Sequence, residues 1–391
     1  MPWKTMDVHQ QRVEFVVSAS RREKSFTAWC EEFGISRPTG CQWLERYQQQ
    51  GLAGLAERSR RPHRSPRLTA GELEQRVVEL RQRYPDWGAS KLRILLQREG
   101  IELARSTIHR ILLRRDLVHP ADRHQHATER FQRERPNELW QMDFKSPIGW
   151  DAPVGPLSVI DDHSRYLITL HMTGRAYGEL VREQLQTAFG HSGVPEGMLM
   201  DHGVPWWNGQ AASGWTELGV WLMRQGIELH FSRIRHPQTQ GKVERFHGAL
   251  EMARRKRGLP EGEPRQAWLD NFRYEYNHVR PHEGLGMRTP ASLWHVSPRS
   301  YDPNPTAWDY GVGSEVYRLN RNGQLKLQGR WWQVSEALRQ QWVEVKPIDQ
   351  RILVYYCRSL VREINLATQR STAVDRWVQP SICNACGDNA V

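Results

Sequence analysis

Apolar and polar residues change their repeat several times along this chain, and each change predicts a different element. Phe26 to Phe33 reads as a short amphipathic helix, Gly34-Ile35 as a turn, and Ser36 as the cap of a second helix that turns Trp43, Leu44 and Tyr47 inward. The same helix-turn-helix grammar recurs in Trp87 to Leu96, Gly100-Ile101 and a helix beginning near Arg105. Further on the period drops to two. Trp140, Met142 and Phe144 alternate with Gln141 and Asp143, so a strand there buries the first set and presents the acid on the other face. Pro156 to Ile160 and Tyr166 to His171 predict paired strands joined by Asp161-Asp162-His163-Ser164-Arg165, where Asp and Ser suit a tight connection.

The apolar run Met198-Leu199-Met200 predicts a buried strand with Asp201 at its C-terminal tip and Gly203 releasing the chain into a loop. Pro237 and Gly241 argue for irregular backbone, after which Val243, Phe246, Leu250 and Ala253 return at helical spacing and leave Glu244 on the open face. Beyond Pro298, Pro303 and Pro305 the pattern becomes short alternating strands: Glu315–Leu319, Gln324–Leu327, Trp331–Val334, Trp342–Val345 and Ile352–Tyr356. Their spacing predicts a small β-barrel.

These elements predict a multidomain chain of 391 residues. Residues 1–57 form a first helix-turn-helix domain, 58–67 a linker, 68–120 a second helix-turn-helix domain and 121–136 another linker. Residues 137–300 carry an α/β core, and 301–391 the small β-barrel and a tail. The linker Arg58-Ser59-Arg60-Arg61-Pro62-His63-Arg64-Ser65-Pro66-Arg67 is too rich in arginine and proline to build a core.

Charge adds a partner to this outline. The formal charge is +11, from 55 Lys+Arg against 44 Asp+Glu, and most of the excess lies ahead of the α/β core. An excess of this size in an enzyme points to a polyanion, and its placement makes the front third the anchor. No apolar run approaches the roughly 18 residues of a membrane span, and Met1-Pro2-Trp3-Lys4 does not open a signal peptide. Five scattered cysteines suit a reducing compartment, so a cytoplasmic setting is expected. Cys383 and Cys386 have zinc-ligand spacing but no second pair, which favours a tail over a metal site.

Asp143, Asp201 and Glu244 stand in contexts that would let two strand-borne carboxylates and one helix-borne carboxylate converge. Hard oxygen donors of this kind suit Mg²⁺ or Mn²⁺, and two such ions can drive displacement at a phosphodiester without a covalent enzyme intermediate. His236, Lys242 and Arg245 flank Glu244 and are candidates for holding substrate phosphates; Arg254 to Arg257, at the far end of the same helix, could meet DNA or solvent. In the helix-turn-helix units the N-terminal residues of each second helix would face the major groove, nominating Arg37, Thr39 and Gln42, then Arg105, Thr107 and Arg110. Arg60, Arg61 and Arg64 of the linker could follow the backbone or enter a narrow minor groove.

With these residues in place, the chain resembles the insertion-sequence transposases that carry a retroviral-integrase-type DDE catalytic core. The motifs are Leu139-Trp140-Gln141-Met142-Asp143-Phe144, Val159 to Tyr166, Asp201-His202-Gly203, His236 to Phe246, Tyr276-Asn277-His278-Val279-Arg280-Pro281-His282 and Thr289-Pro290-Ala291. They fall in the family's order across most of residues 137–295. One departure is a longer interval between Asp201 and Glu244, where Trp206-Trp207-Asn208-Gly209-Gln210 through Trp221 extends the segment. The resemblance implies a ribonuclease H-like core, a two-metal site at Asp143, Asp201 and Glu244, and a homo-oligomer assembled on double-stranded DNA, both element ends and target. It implies a prokaryotic, nucleoid-associated protein, and leaves open an accessory ATPase or targeting protein. Two other classes fit parts of the pattern: a domesticated DNA-binding protein that no longer cuts, and a ribonuclease H-like nuclease or resolvase. Three intact carboxylates argue against the first, and two tandem readers against the second.

Overall fold

The computed structural model describes residues 8–21, 23–57, 69–118, 132–209, 214–232, 241–260 and 264–374. The chain divides into two compact units, Met1–Ala70 and Gly71–Val391.

The first unit contains α1 (Val8–Ser20), α2 (Phe26–Glu32) and α3 (Arg37–Gln50). Ser25 and Ser36 cap α2 and α3, accepting the backbone N–H of Ala28 at 3.2 Å and of Thr39 at 3.3 Å. Phe15, Val16, Trp29, Cys30 and Leu55 are buried together, with Trp43, Leu44 and Tyr47 packed against them as the helical spacing predicts. Gly40 makes this approach possible. A Cβ there would lie 2.6 Å from Cys30 Sγ and 2.9 Å from the Phe15 ring.

The second unit opens with α4 (Gly71–Arg83), α5 (Ala89–Arg98) and α6 (Arg105–Arg114) around Val77, Leu80, Trp87, Leu92, Leu96, Ile108, Ile111 and Leu112. The α/β core follows. Strands β1 (Leu139–Phe144), β2 (Leu157–Asp161), β3 (Leu167–His171), β4 (Gly197–Met200) and β7 (Glu228–Phe231) form one sheet in the order β3-β2-β1-β4-β7. The β3-β2-β1 part is antiparallel, and β4 and β7 add on parallel. Trp140, Met142, Met198 and Met200 pack towards α7 (Gly178–Ser192) and α8 (Glu217–Arg224), through Val181, Leu185, Phe189 and Leu222. Ile160, Leu167 and Leu170 pack on the other face with α9 (Gly241–Arg257) and α10 (Pro264–Tyr274). A mixed five-stranded sheet with this order and helices on both faces is the ribonuclease H-like arrangement expected. Because both faces are covered, Gln141 is as buried as its apolar neighbours, at 1% exposure.

The extended interval after Asp201 folds into a small hairpin, β5 (Trp207–Asn208) against β6 (Gly214–Trp215). Trp207 and Trp215 stack edge-on, and both meet Phe231 at the end of β7.

The C-terminal part departs from expectation. Strands β8 (Val316–Arg318), β11 (Trp342–Ile348), β12 (Arg351–Tyr356), β13 (Ser359–Asn365) and β14 (Arg370–Ala373) form an antiparallel sheet in the order β14-β13-β12-β11-β8. The hairpin β9 (Gln324–Leu327) and β10 (Arg330–Gln333) shares no strand ladder with it, though Ser371 Oγ of β14 donates to Gln333 O of β10 at 2.7 Å. The sheet is open, with β14 and β8 as its edges, so the expected small β-barrel is not confirmed: no closed barrel forms among the described residues. Closure is not needed to bury the apolar face. Val343, Val354, Val361 and Ile364 join one hydrophobic cluster with Leu325 and Trp332 of the hairpin and with the α/β core, and Trp215 donates its indole N–H to Val361 O at 2.9 Å. Strand β13 was not legible in sequence because a polar side chain, Arg362, occupies an inward position; it is 3% exposed and bonds Ser371 of β14.

Among the described residues no helix is long and apolar enough to cross a membrane. Cys30 and Cys357 are buried free thiols and Cys41 an exposed one; Cys383 and Cys386 lie outside the described residues.

Candidate active site

Strand direction brings the first two acids together. Strands β1 and β4 are parallel neighbours paired Leu139 to Gly197, Trp140 to Met198 and Gln141 to Leu199. Carried on by two residues, that register sets Asp143 abreast of Asp201, on strands about 4.8 Å apart. Asp201 follows the last residue of β4, and its Oδ1 accepts the Gly203 N–H at 3.0 Å. A Cβ on residue 203 would sit 2.9 Å from that carboxylate, which accounts for the glycine.

Glu244 is in the first turn of α9, on its exposed side, while Val243 and Phe246 are buried. Burial pushes the Asp143 carboxyl up to about 7, and the negative charges of Asp201 and Glu244 push in the same direction. Burial also raises Glu244. The field at Asp143 is therefore short of positive charge. His247 does not supply it: its Nδ1 lies 3.8 Å from Asp143 Oδ2, but burial, with Lys145 nearby, lowers the ring to about 3, and its Nε2 meets Ser158 Oγ at 3.1 Å. Oxygen donors under mutual repulsion fit a divalent cation such as Mg²⁺ or Mn²⁺. Among the described residues no three His, Cys, Asp or Glu side chains are close enough to hold one ion. The carboxylates thus share a field without forming a closed coordination sphere.

Beneath them runs a buried polar network. Gln141 donates Nε2 to Asp162 Oδ1 at 2.8 Å and accepts the Val243 N–H on Oε1 at 3.3 Å. Asp162 also accepts the Arg133 N–H at 2.7 Å and is ion-paired with Lys242. Lys242, a candidate phosphate ligand by sequence, thus points inward, and burial lowers its ammonium to about 8 although Asp162 opposes the shift. Arg245 is exposed beside Glu244. Asp161 is the turn residue expected, accepting from Ser164 N–H at 2.7 Å, Ser164 Oγ at 2.6 Å and Asn137 N–H at 2.7 Å.

The candidate DNA contacts divide by placement. Arg37 and Gln42 are exposed on α3; Thr39 is half-buried, its hydroxyl 2.8 Å from Ser36 Oγ. Arg105 and Arg110 are exposed on α6, and Thr107 is half-buried between them. Arg60, Arg61, Arg64 and His236 lie outside the described residues. In the basic run at the end of α9 Arg255 is exposed, whereas Arg254 and Arg257 are half-buried. Arg254 and Arg255 pair with Glu251, and Arg257 pairs with Asp86 and Glu275.

Sequence reasoning also missed what Tyr276 to His282 does. Asn277 is stitched to Leu167 of β3 as a backbone strand would be, accepting its N–H at 2.8 Å and donating to its C=O at 3.0 Å. Tyr276 packs edge-on against Phe246, and His282 Nε2 meets the Tyr276 hydroxyl at 2.9 Å. The signal available was the density of polar, hydrogen-bonding residues in an element that must pack.

Comparison with known proteins matches the Integrase core domain family over residues 133–237 and again over 225–290, across the site just described. A Helix-turn-helix domain model matches residues 11–63 and a Homeodomain-like domain model residues 39–112. The insertion element IS407 uncharacterized 31.7 kDa protein of Burkholderia multivorans is 24% identical over 56% of this chain and 80% of its own length. The insertion element IS476 uncharacterized 39.2 kDa protein of Xanthomonas euvesicatoria is 26% identical over 62% of this chain and 70% of its own. The chain thus carries helix-turn-helix domains ahead of an integrase core domain, and is similar to proteins of bacterial insertion elements. Among solved structures, a simian T-cell lymphotropic virus intasome in complex with PP2A regulatory subunit B56 gamma overlaps 78% of this chain and 99% of its own. Its identity is 17% and its TM-score 0.36.

Proposed function

We propose that this chain binds the ends of a mobile element through its two helix-turn-helix units. Asp143, Asp201 and Glu244 then hold two Mg²⁺ or Mn²⁺ ions for cleavage at those ends and transfer of the freed 3′-hydroxyls to target DNA. The observation that carries the reading is the parallel register that sets Asp143 beside Asp201, with the charge of Glu244 acting on the same carboxyl. When bound, the ions would activate an oxygen nucleophile and stabilise the leaving oxygen of an in-line displacement. Asp143 and Asp201 offer oxygens from the sheet, Glu244 from α9, and Arg245 stands exposed beside them to meet a phosphate. The exposed arginines of α3 and α6 would carry the end-binding contacts. Two ends joined to one target require two such centres, and hence at least two protomers on DNA in a bacterial cytoplasm.

The test is cleavage and strand transfer on labelled end DNA by Asp143→Asn, Asp201→Asn and Glu244→Gln. Each is expected to lose more than the roughly 10–100-fold that removal of a supporting residue costs a metal site, with end binding retained. Substantial activity in any one variant, or loss of binding in all three, would overturn the assignment. Protein multimers that form only with end DNA would support assembly; one chain per complex would refute it.

A further inference from the structure

The second helix-turn-helix unit is held against the α/β core by a buried ionic joint whose partners lie far apart in sequence. Asp86, in the connection between α4 and α5, has a side chain 1% exposed. It accepts from Arg257 Nε at 2.8 Å and from Arg280 Nη1 at 3.2 Å. Arg257 also bonds both oxygens of Glu275, at 2.8 and 2.7 Å. At the rim of the joint Arg98 donates to Val279 O at 3.0 Å, and Lys91 lies 3.8 Å from Glu283.

Ionic joints of this kind contribute little net stability compared with an apolar contact, because both charges must be desolvated. They do fix one relative arrangement, since leaving either charge buried alone is costly.

The position of the joint gives it a metric role. Arg257 is the last residue of α9, whose first turn carries Glu244, and a helix rises about 1.5 Å per residue, so the joint and the carboxylate lie roughly 20 Å apart on one rigid rod. Arg280 follows the segment that Asn277 stitches to β3. Arg105 and Arg110 of α6 stay exposed while the joint is closed.

We propose that Asp86 is a positioning residue. It locks α6 at a set distance from the Asp143, Asp201 and Glu244 site, so that the phosphodiester to be cut is selected by its distance from the sequence α6 binds. This inference rests on the proposed end cleavage. It adds a ruler within one protomer and makes the sequence at the cut itself secondary.

The experiment maps 3′ ends at nucleotide resolution on end DNA cut by the full-length protein. Unaltered protein should cut one bond. When about half a helical turn, roughly five base pairs, is inserted beside that bond, the cut should stay at the same distance from the bound sequence and fall within the insert. Asp86→Asn keeps shape and removes the charge; it should change end binding by less than about threefold, since α6 is untouched, and spread the cuts over several adjacent bonds. A Lys91→Ala/Arg98→Ala double variant loosens only the rim and serves if Asp86→Asn does not fold; it should spread the cuts in the same way. Overall loss of rate would be expected from a merely structural role, whereas a change in cut position would not. The inference is overturned if a folded variant still cuts only the original bond, or if the cut follows its own local sequence into a new place. No cutting at all by unaltered protein would overturn the proposed function and this ruler with it.

Discussion

Gln141 accepts the backbone N–H of Val243 at 3.3 Å, which joins the residue two before Asp143 to the residue one before Glu244. Its other side-chain atom is committed to Asp162, so the amide cannot turn without leaving a buried polar group unsatisfied. Strand β1 and helix α9 are thereby held in one relation, and with them two of the three carboxylates. Gln141→Leu should lower metal-dependent cleavage by roughly 10–100-fold and raise the Mg²⁺ concentration needed for half-maximal rate, as loss of a residue supporting a metal site does. End binding should be unchanged. A Mg²⁺ titration superimposable on that of unaltered protein would show that the amide does not position the site.

The raised Asp143 carboxyl has a consequence for stability. A folded-state value of about 7, above the ordinary value of about 4, means that the site favours the protonated form. Its stabilising contribution is present at low pH and is lost as pH rises towards 7, while ionisation adds a third charge to two neighbours. Metal-free protein should accordingly melt lower at pH 8 than Asp143→Asn, by a few degrees, and Mg²⁺ should raise the melting temperature of unaltered protein more at pH 8 than at pH 5.5. Thermal melts in chelator and in Mg²⁺ measure both. Equal shifts at the two pH values would count against a shared carboxylate site.

Lys242 and Asp162 form a buried pair. Lys242→Met should destabilise by about 3–5 kcal/mol because the buried Asp162 loses its ion-pair partner, and adding Asp162→Asn should recover much of that loss. Chemical denaturation of the two single variants and the double variant gives the coupling. Additive losses would mean that the pair is not the interaction that keeps either residue buried.

Most of the net positive charge precedes the α/β core, and the first unit has exposed Arg37 and Gln42 on a capped helix. Removing residues 1–70 from the full chain should weaken end binding and flatten its dependence on salt, since fewer counterions are released. Plots of log affinity against log salt for the two proteins should differ in slope. The same slope would move the electrostatic anchor elsewhere.

Sequence by itself determined the elements and their caps. Ser25, Ser36 and the alternation of Trp140 and Met142 with polar residues act within a few positions of the chain, where backbone hydrogen bonds and side-chain period decide helix or strand. It also placed Asp201 at a strand tip and Glu244 on an open helix face. What only the tertiary structure decided involves contacts between distant residues. The bonds from Arg257 to Asp86 span 171 positions and that from Arg280 to Asp86 spans 194, so nothing near Arg257 in sequence tells that its charge is spent inside the protein. Gln141 read as an outward polar residue until α9 covered it. The C-terminal strands read as a small β-barrel, whereas they form an open sheet whose apolar face the α/β core and the β9–β10 hairpin cover. Local pattern records what each residue prefers; which surface satisfies it is set by the burial that the whole fold makes available.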